Sequence, residues 1–345
     1  MRLKKLFLAG IMILSFVSIS CAKPKIKAKV IKNDLTVDLN DCWLFSSGKS
    51  FFALNKANLS ECVHVEFDTF VSNPFVYNNK IYFGDQGKVP GDFGHGIYVF
   101  DRKFKLLKNI PSLPNVRNLV QVDKFLIADT LCFFKNGESG FTVIDLETDQ
   151  KVYVSSKEPN IINNQGNIWS YNNQLILGFN QKSLDSKIFS YSFEVQGENL
   201  KLKRKQINDK NYPSFNSVIA ENLLFLNLKN ENEIVVFDLD KNQEAAYIDF
   251  RKYLPKSVET ITNRKPYFFN DCYYLLVYEA DQTKNNAFNA ILKYDLQKEK
   301  VYIQKINCNA RALNEIKMCD EEYIYLRQGF EIEKVKVAFI ECHGD

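Results

Sequence analysis

From residue 50 onward the hydrophobic positions follow a repeated phrase of strand-like alternation. GIYVFDRKFK (96–105), FTVIDLETDQ (141–150), EIVVFDLDKN (233–242) and AILKYDLQKE (290–299) are each rich in β-branched and aromatic residues and close on Asp. Each then passes through turn-forming polar residues into another short apolar run, which predicts two antiparallel strands joined just after the Asp. Looser copies place Asn55 (SFFALNKANL, 50–59), Ser192 (KIFSYSFEVQ, 187–196) and Glu341 (VKVAFIECHG, 335–344) in the closing position. The seven closing residues, Asn55, Asp101, Asp145, Ser192, Asp238, Asp295 and Glu341, are spaced by 46, 44, 47, 46, 57 and 46 residues.

A second phrase runs in step with the first. Some 15–25 residues before each closing residue come a strand, a tight polar turn and another strand, as in LTVDL-ND-CWLFS, PFVYN-NK-IYFGD, NIWSY-NN-QLILG and PYFFN-DC-YYLLV. Asn and Asp tolerate the positive φ that two-residue hairpin turns require. Four strands per unit and a period near 46 predict an all-β fold, a seven-bladed β-propeller with four-stranded antiparallel blades. Six or eight blades are the alternatives if the first unit or the 57-residue interval divides differently. After Glu341 only four residues remain, so the last blade lacks its outermost strand, and IKAKVIK (26–32) is expected to complete it and close the ring.

The amino terminus reads differently. Arg2, Lys4 and Lys5 precede a twelve-residue apolar run, Leu6 to Val17, with small residues after it. That run is too short for a bilayer span, which takes about 20 residues, and matches an export signal over 1–20. Ser18-Ile19-Ser20-Cys21 resembles a bacterial lipobox, departing from the usual pattern at Ser18. The resemblance implies cleavage before Cys21, lipidation of that cysteine, a tether over 21–25 and a single propeller domain over 26–345.

Composition narrows the function. Hydrophobic residues make up 46%, with 28 Phe and 17 Tyr, as a globular core requires. Of 45 Lys+Arg, three lie in the signal, leaving 42 against 41 Asp+Glu. A near-neutral body lacks the electrostatic footprint of a nucleic-acid binder. Seven cysteines remain after Cys21 (Cys42, Cys62, Cys132, Cys272, Cys308, Cys319 and Cys342), without a CxxC pair. An odd count leaves at least one thiol unpaired within a monomer. Only His64, His95 and His343 are present, and no GxSxG, HExxH or P-loop phrase occurs, so no metal, cofactor or catalytic residue is assigned.

The closing residues Asn55, Asp101, Asp145, Asp238 and Asp295 read as structural turn acceptors, since each stands at a strand-to-turn junction. LKLKRKQ (200–206) reads as a charged outer strand that blocks unwanted pairing. In a propeller the loops between second and third strands share one face with the connections between blades. Here that face carries QGKVPGDFGHG (86–96), TLCFFKNGESG (130–140), FRKYLPKSVETITNRK (250–265) and EADQTKNNAFN (279–289). These loops offer Phe93, His95, Phe133, Phe134, Arg251, Tyr253, Arg264 and Phe288 as partner-binding candidates, because aromatic and Arg residues dominate binding hot spots.

DLETDQKVY at Asp145 resembles the quinoprotein blade phrase Asp-x-x-Thr-Gly-x-x-x-Trp, with Asp149 for Gly and Tyr153 for Trp. The chain from 26 onward is similar, in architecture alone, to WD- and quinoprotein-like propellers, and carries no Trp-Asp signature. With the lipobox, it also resembles the propeller lipoprotein of the outer-membrane β-barrel assembly machinery. That resemblance implies a non-catalytic protein-binding scaffold, lipid-anchored in the cell envelope at the periplasmic face of the outer membrane. Its partner would be an envelope protein such as an outer-membrane assembly complex. The alternatives are a surface lipoprotein binding an external ligand, and a hydrolase or lyase using Asp38, Asn118, Asn216 and Glu315 with calcium in the channel.

Overall fold

The computed structural model describes residues 27–342 except 35–37, 89–93, 95, 113–114, 131–138, 157–167, 178–187, 197–198, 208–209, 211–213, 229–232, 256–257, 259, 262–265, 280–287, 308–314 and 329–330. The strands form seven antiparallel sheets, the blades of a β-propeller. Blade 1 contains β1 (Ala28–Asn33), β2 (Cys42–Ser47), β3 (Ser50–Asn55) and β4 (Glu61–Phe67), in the spatial order β1-β4-β3-β2. In blade 2 the inner strand is split into β5 (Phe70–Val71) and β6 (Phe75–Tyr77), followed by β7 (Lys80–Gly87), β8 (Gly96–Phe100) and β9 (Leu106–Pro111). Blade 3 contains β10 (Val116–Val122), β11 (Phe125–Thr130), β12 (Ser139–Asp145) and β13 (Lys151–Ser156). Blade 4 contains β14 (Ile168–Tyr171), β15 (Gln174–Leu177), β16 (Phe189–Gln196) and β17 (Asn199–Gln206). Blade 5 contains β18 (Ser214–Ala220), β19 (Leu223–Leu228), β20 (Glu233–Asp238) and β21 (Gln243–Asp249). Blade 6 has a split inner strand, β22 (Thr260–Ile261) and β23 (Tyr267–Phe269), then β24 (Cys272–Tyr278), β25 (Asn289–Asp295) and β26 (Lys300–Lys305). Blade 7 has three strands, β27 (Glu315–Cys319), β28 (Tyr323–Gln328) and β29 (Glu331–Lys336), and the chain ends through β30 (Ile340–Glu341).

Two turn chemistries generate this repetition. The hairpins at Asn78-Asn79, Asn172-Asn173 and Asn270-Asp271 hold both central residues at positive φ, between 45° and 57°. Their backbone twist matches that of the flanking strands. At the closing residues the side-chain oxygen accepts amides of the turn that follows. Asp145 Oδ1 accepts from Glu147 N (2.9 Å) and Thr148 N (3.1 Å), and Asp238 Oδ1 from Asp240 N and Lys241 N (both 3.0 Å). Asp101 Oδ1 accepts from Lys103 N and Lys105 N, Asp295 Oδ1 from Lys298 N, and Asn55 Oδ1 from Ala57 N. Four residues on, Leu59, Asp149, Asn242 and Glu299 turn left-handed.

Side chains fill each seam between neighbouring blades. Phe51, Phe67, Phe83 and Phe100 pack between blades 1 and 2. Gly84 brings blade 2 against blade 3 so closely that a Cβ there would lie 2.2 Å from Val116 Cγ1. One cluster holding Phe141, Tyr191 and Leu226 runs through blades 3, 4 and 5. Phe225 stacks on Tyr273 at 4.7 Å between blades 5 and 6, and Tyr274, Leu276, Ile316 and Leu326 join blades 6 and 7. Among the described residues the buried cluster between blades 7 and 1 is small, with Phe45, Phe52 and Leu54 packed against Ile332.

Three expectations change. The amino-terminal strand does not complete blade 7: β1 pairs with β4 and becomes the outer edge of blade 1. The segment expected as that blade's inner strand instead enters a 3-10 turn, Leu39–Asp41, capped by Asp38, whose carboxylate accepts from Asn40 N. Blade 1 is thus built from β2 outward and has a free outer position for β1. Second, β29 and not the Glu341 segment is the third strand of blade 7. The chain then crosses to blade 6, where Ile303 pairs with Ile340, Tyr302 with Glu341, and Lys300 Nζ lies 2.8 Å from Glu341 Oε1. Third, β16 runs through Ser192 to Gln196 without turning. Ser192 carries no carboxylate to gather turn amides, and the residues after it remain β-formers. LKLKRKQ lies on β17, the outer strand of blade 4.

Candidate functional site

The connection after blade 5 begins with a 3-10 turn, Phe250–Lys252, capped by Asp249, whose Oδ1 accepts from Arg251 N at 3.0 Å. Arg251 folds back on the cap, with Nε 2.8 Å from Asp249 Oδ1, and a terminal nitrogen pairs with the buried Glu233. This holds the Asp249 carboxyl below the usual range, Arg251 supplying the largest effect. Glu233 in turn accepts from Tyr247 and pushes that phenol up to about 12. The Arg251 guanidinium is therefore engaged in fixing the end of blade 5.

Tyr253 follows the turn, its amide bonded to Phe250 O at 3.0 Å, and its side chain faces a cavity of about 540 Å³. Phe288, from the loop between β24 and β25, lines the same cavity. Its amide is held by the buried Glu279 (3.2 Å to Oε2), while Glu279 N donates to Phe288 O at 2.8 Å. Two of the loops expected to share a face thus meet here. The rest of the wall is Pro255, the end of β26 (Ile303, Gln304, Lys305) and the carboxy-terminal segment (Ala338, Ile340, Cys342).

That segment is clamped by a side chain. Gln304 Nε2 donates to Lys336 O at 2.6 Å, and Gln304 Oε1 accepts from Ala338 N at 2.8 Å. Cys342 N donates to Val301 O at 2.8 Å, and Phe339 packs against Tyr274 at 5.9 Å. Beside the cavity Ile340 is 74% exposed, and Lys305 Nζ stands 5.9 Å from the Phe288 ring centroid. Burial pushes the Cys342 thiol up, so it stays protonated near neutrality. The recess is thus an apolar wall of Phe, Ile, Pro and Ala bordered by one cation, one phenol and one thiol.

Of the remaining candidates, Cys21, Phe93, His95, Phe133, Phe134 and Arg264 lie outside the described residues, as does the signal at 1–20. Ile340 and Cys342 are not among the sequence-based candidates, because their segment reads as a strand of blade 7. The unbroken apolar run VAFI (337–340), beyond the alternation of β29, is the available signal.

The residues considered for channel chemistry each have a different neighbour. Asp38 is paired with Arg102 at 2.6 Å, Asn118 faces Asp129 across β10 and β11, Asn216 faces Asn227 across β18 and β19, and Glu315 lies 3.2 Å from Lys317 Nζ. Among the described residues no group of three or more His, Cys, Asp or Glu is placed to hold a metal ion.

No family model matches the chain, and no curated protein matches its sequence. Solved structures are similar to it. Dihydro-heme d1 dehydrogenase NirN, in complex with DHE, has a TM-score of 0.56 at 10% identity, covering 90% of this chain, which spans 65% of NirN. BamB from Moraxella catarrhalis has a TM-score of 0.46 at 9% identity, covering 89% of this chain and 97% of BamB. Hsv2 from Kluyveromyces lactis has a TM-score of 0.49 at 12% identity, covering 82% and 95%. At 10% identity the likeness to NirN is one of fold alone.

Proposed function

We propose that this protein is a lipid-anchored, non-catalytic scaffold of the cell envelope that docks a protein partner through the recess formed by Tyr253, Phe288 and Ile340. The observation that carries the reading is the recess itself: two aromatic side chains and an exposed isoleucine converge on an apolar wall at the loop face. Aromatic anchors in a concave apolar site next to a cation have the composition of a binding hot spot. The anchor in this reading is lipid on Cys21, with the body at the periplasmic face of the outer membrane and an outer-membrane assembly complex as the partner. Lys27, whose amide donates to Asp68 Oδ1 at 3.0 Å, ties the chain to blade 1. At roughly 3.3 Å per extended residue, a lipid on Cys21 would hold the ring within about 20 Å of the bilayer.

The test is capture of the tagged full-length protein from gently solubilised membranes, with quantitative mass spectrometry of what accompanies it. Tyr253→Ala with Phe288→Ala should lower recovery of the specific partner roughly thirtyfold, the effect of losing about 2 kcal/mol of hot-spot contact. Unchanged recovery, with blade structure intact by circular dichroism, would refute the docking site. Cys21→Ala should release the protein from the membrane fraction, and retention there would refute the anchor.

A further inference from the structure

Blade 1 holds two buried thiols in contact, Cys42 at the start of β2 and Cys62 in β4, with Sγ atoms 3.1 Å apart. The two strands are not neighbours, since β3 runs between them. What brings the side chains together is a bulge. Ala53 pairs with Val63 and Leu54 with Glu61, so Cys62 is the extra residue of β4, left without a partner in the ladder. A bulge of this kind bends its strand and re-aims the side chain. Here Cys62 is held from both sides: its carbonyl accepts from Asp34 N at 2.8 Å, and its thiol lies 3.0 Å from the carbonyl of Ala53, the small residue of β3 between the pair. Cys42 is fixed in turn by its amide, which donates to Leu39 O to close the 3-10 turn.

We infer that Cys42 and Cys62 form a disulfide that staples β2 to β4 across β3. The separation is shorter than an ordinary non-bonded sulfur contact, and a movement of about 1 Å reaches bonding distance. In chemical terms the two thiols lose two protons and two electrons to form one S–S bond. A disulfide oxidant, of protein or glutathione type, accepts the electrons and leaves as two thiols. Burial, the largest effect, pushes the Cys42 thiol up to about 12. Cys42 is little ionised in the folded blade, so the bond forms while blade 1 assembles, before this thiol is enclosed. The staple closes the span that contains β3 and secures the blade that meets blade 7 through Phe45, Phe52 and Leu54. The compartment able to oxidise it is the one assigned under the proposed function, but the pairing stands on geometry alone.

The deciding experiment unfolds and reduces the purified full-length protein, then refolds it in a mixture of glutathione and glutathione disulfide. Free thiols are alkylated under denaturing conditions, and linked peptides are mapped with and without reduction. A Cys42–Cys62 linked peptide that vanishes on reduction is the expected result. Alkylation of both residues, or linkage of either one to Cys132, Cys272, Cys308, Cys319 or Cys342, would overturn the inference. Reductant should lower Tm by a few degrees in the oxidised wild type and leave Cys42→Ser with Cys62→Ser unmoved; an equal response in both would also overturn it. The same mapping on protein trapped directly from cells separates the two readings. Linkage after refolding together with free thiols in cells supports the pairing and counts against an oxidising envelope compartment.

Discussion

Replacing Phe45 by Ala tests how the ring is held shut. Phe45 is 1% exposed and stacks on Phe52 at 5.6 Å. From blade 7 the Arg327 guanidinium lies 5.0 Å and Lys317 Nζ 5.9 Å from its ring centroid. Arg327 Nε also lies 3.1 Å from Glu315 Oε1, an ion pair off the line of a hydrogen bond, so removing the ring does not strand the cation. Burial and cavity terms for Phe→Ala amount to about 3–5 kcal/mol. The lost cation–π contact adds about 0.5–1 kcal/mol. A destabilisation near 5 kcal/mol follows, large beside a typical domain stability of about 5–15 kcal/mol. Urea unfolding should show a lower midpoint at unchanged slope, and hydrogen exchange should lose protection first in β2 and β28. Phe141→Ala, in the cluster of blades 3 to 5, should cost a similar amount while sparing those strands. A loss under about 1 kcal/mol for Phe45→Ala, or protection lost evenly around the ring, would refute closure by these side chains.

Other consequences are local. Asp145→Ala removes the acceptor of two turn amides and the 2.9 Å partner of Lys124, and should cost about 2 kcal/mol by thermal unfolding, with Asp145→Asn costing less. Acid should destabilise the whole ring. At Asp145 and Asp295 burial raises the carboxyl pKa, but the lysine partners and turn amides outweigh it, and at Asp238 the Lys241 amide leads; all three end below the ordinary value. A depressed folded pKa gives stability that is full above the unfolded value near 4 and is lost as pH falls through the folded one, so Tm should be flat from about pH 7 to 5 and fall steeply below about 4. An Asn triple variant should lose part of that slope, and an unchanged slope would contradict the assignment. Glu299, exposed and left-handed at φ 54°, should give about 0.5–1 kcal/mol of added stability when replaced by Asn, read as a rise in Tm.

The candidate site was partly legible in the chain. Tyr253 and Phe288 lay in loops that blade topology assigns to one face, and the structure brings them to one cavity. Arg251 was named for the same face, but Asp249 and Glu233 claim its guanidinium, and Glu233 stands a whole hairpin away in the chain. The third wall could not be read, because it required knowing that the chain leaves blade 7 after β29.

That division has one physical cause. The sequence by itself determined the repeat, most of its turns and the strand pairs within blades 2 to 6, because these rest on contacts a few residues apart. Asp145 reaches amides two and three residues on, and Asn78-Asn79 turns its own hairpin. Only the tertiary structure decided where the two ends of the chain go. An edge strand satisfies its backbone on any open edge, and the local pattern of β1 or of residues 337–341 does not distinguish one from another. The choice falls to packing and charge from distant blades: Asp34 N on Cys62 O draws β1 to blade 1, while Gln304, Lys300 and Tyr274 draw the carboxy-terminal segment to blade 6.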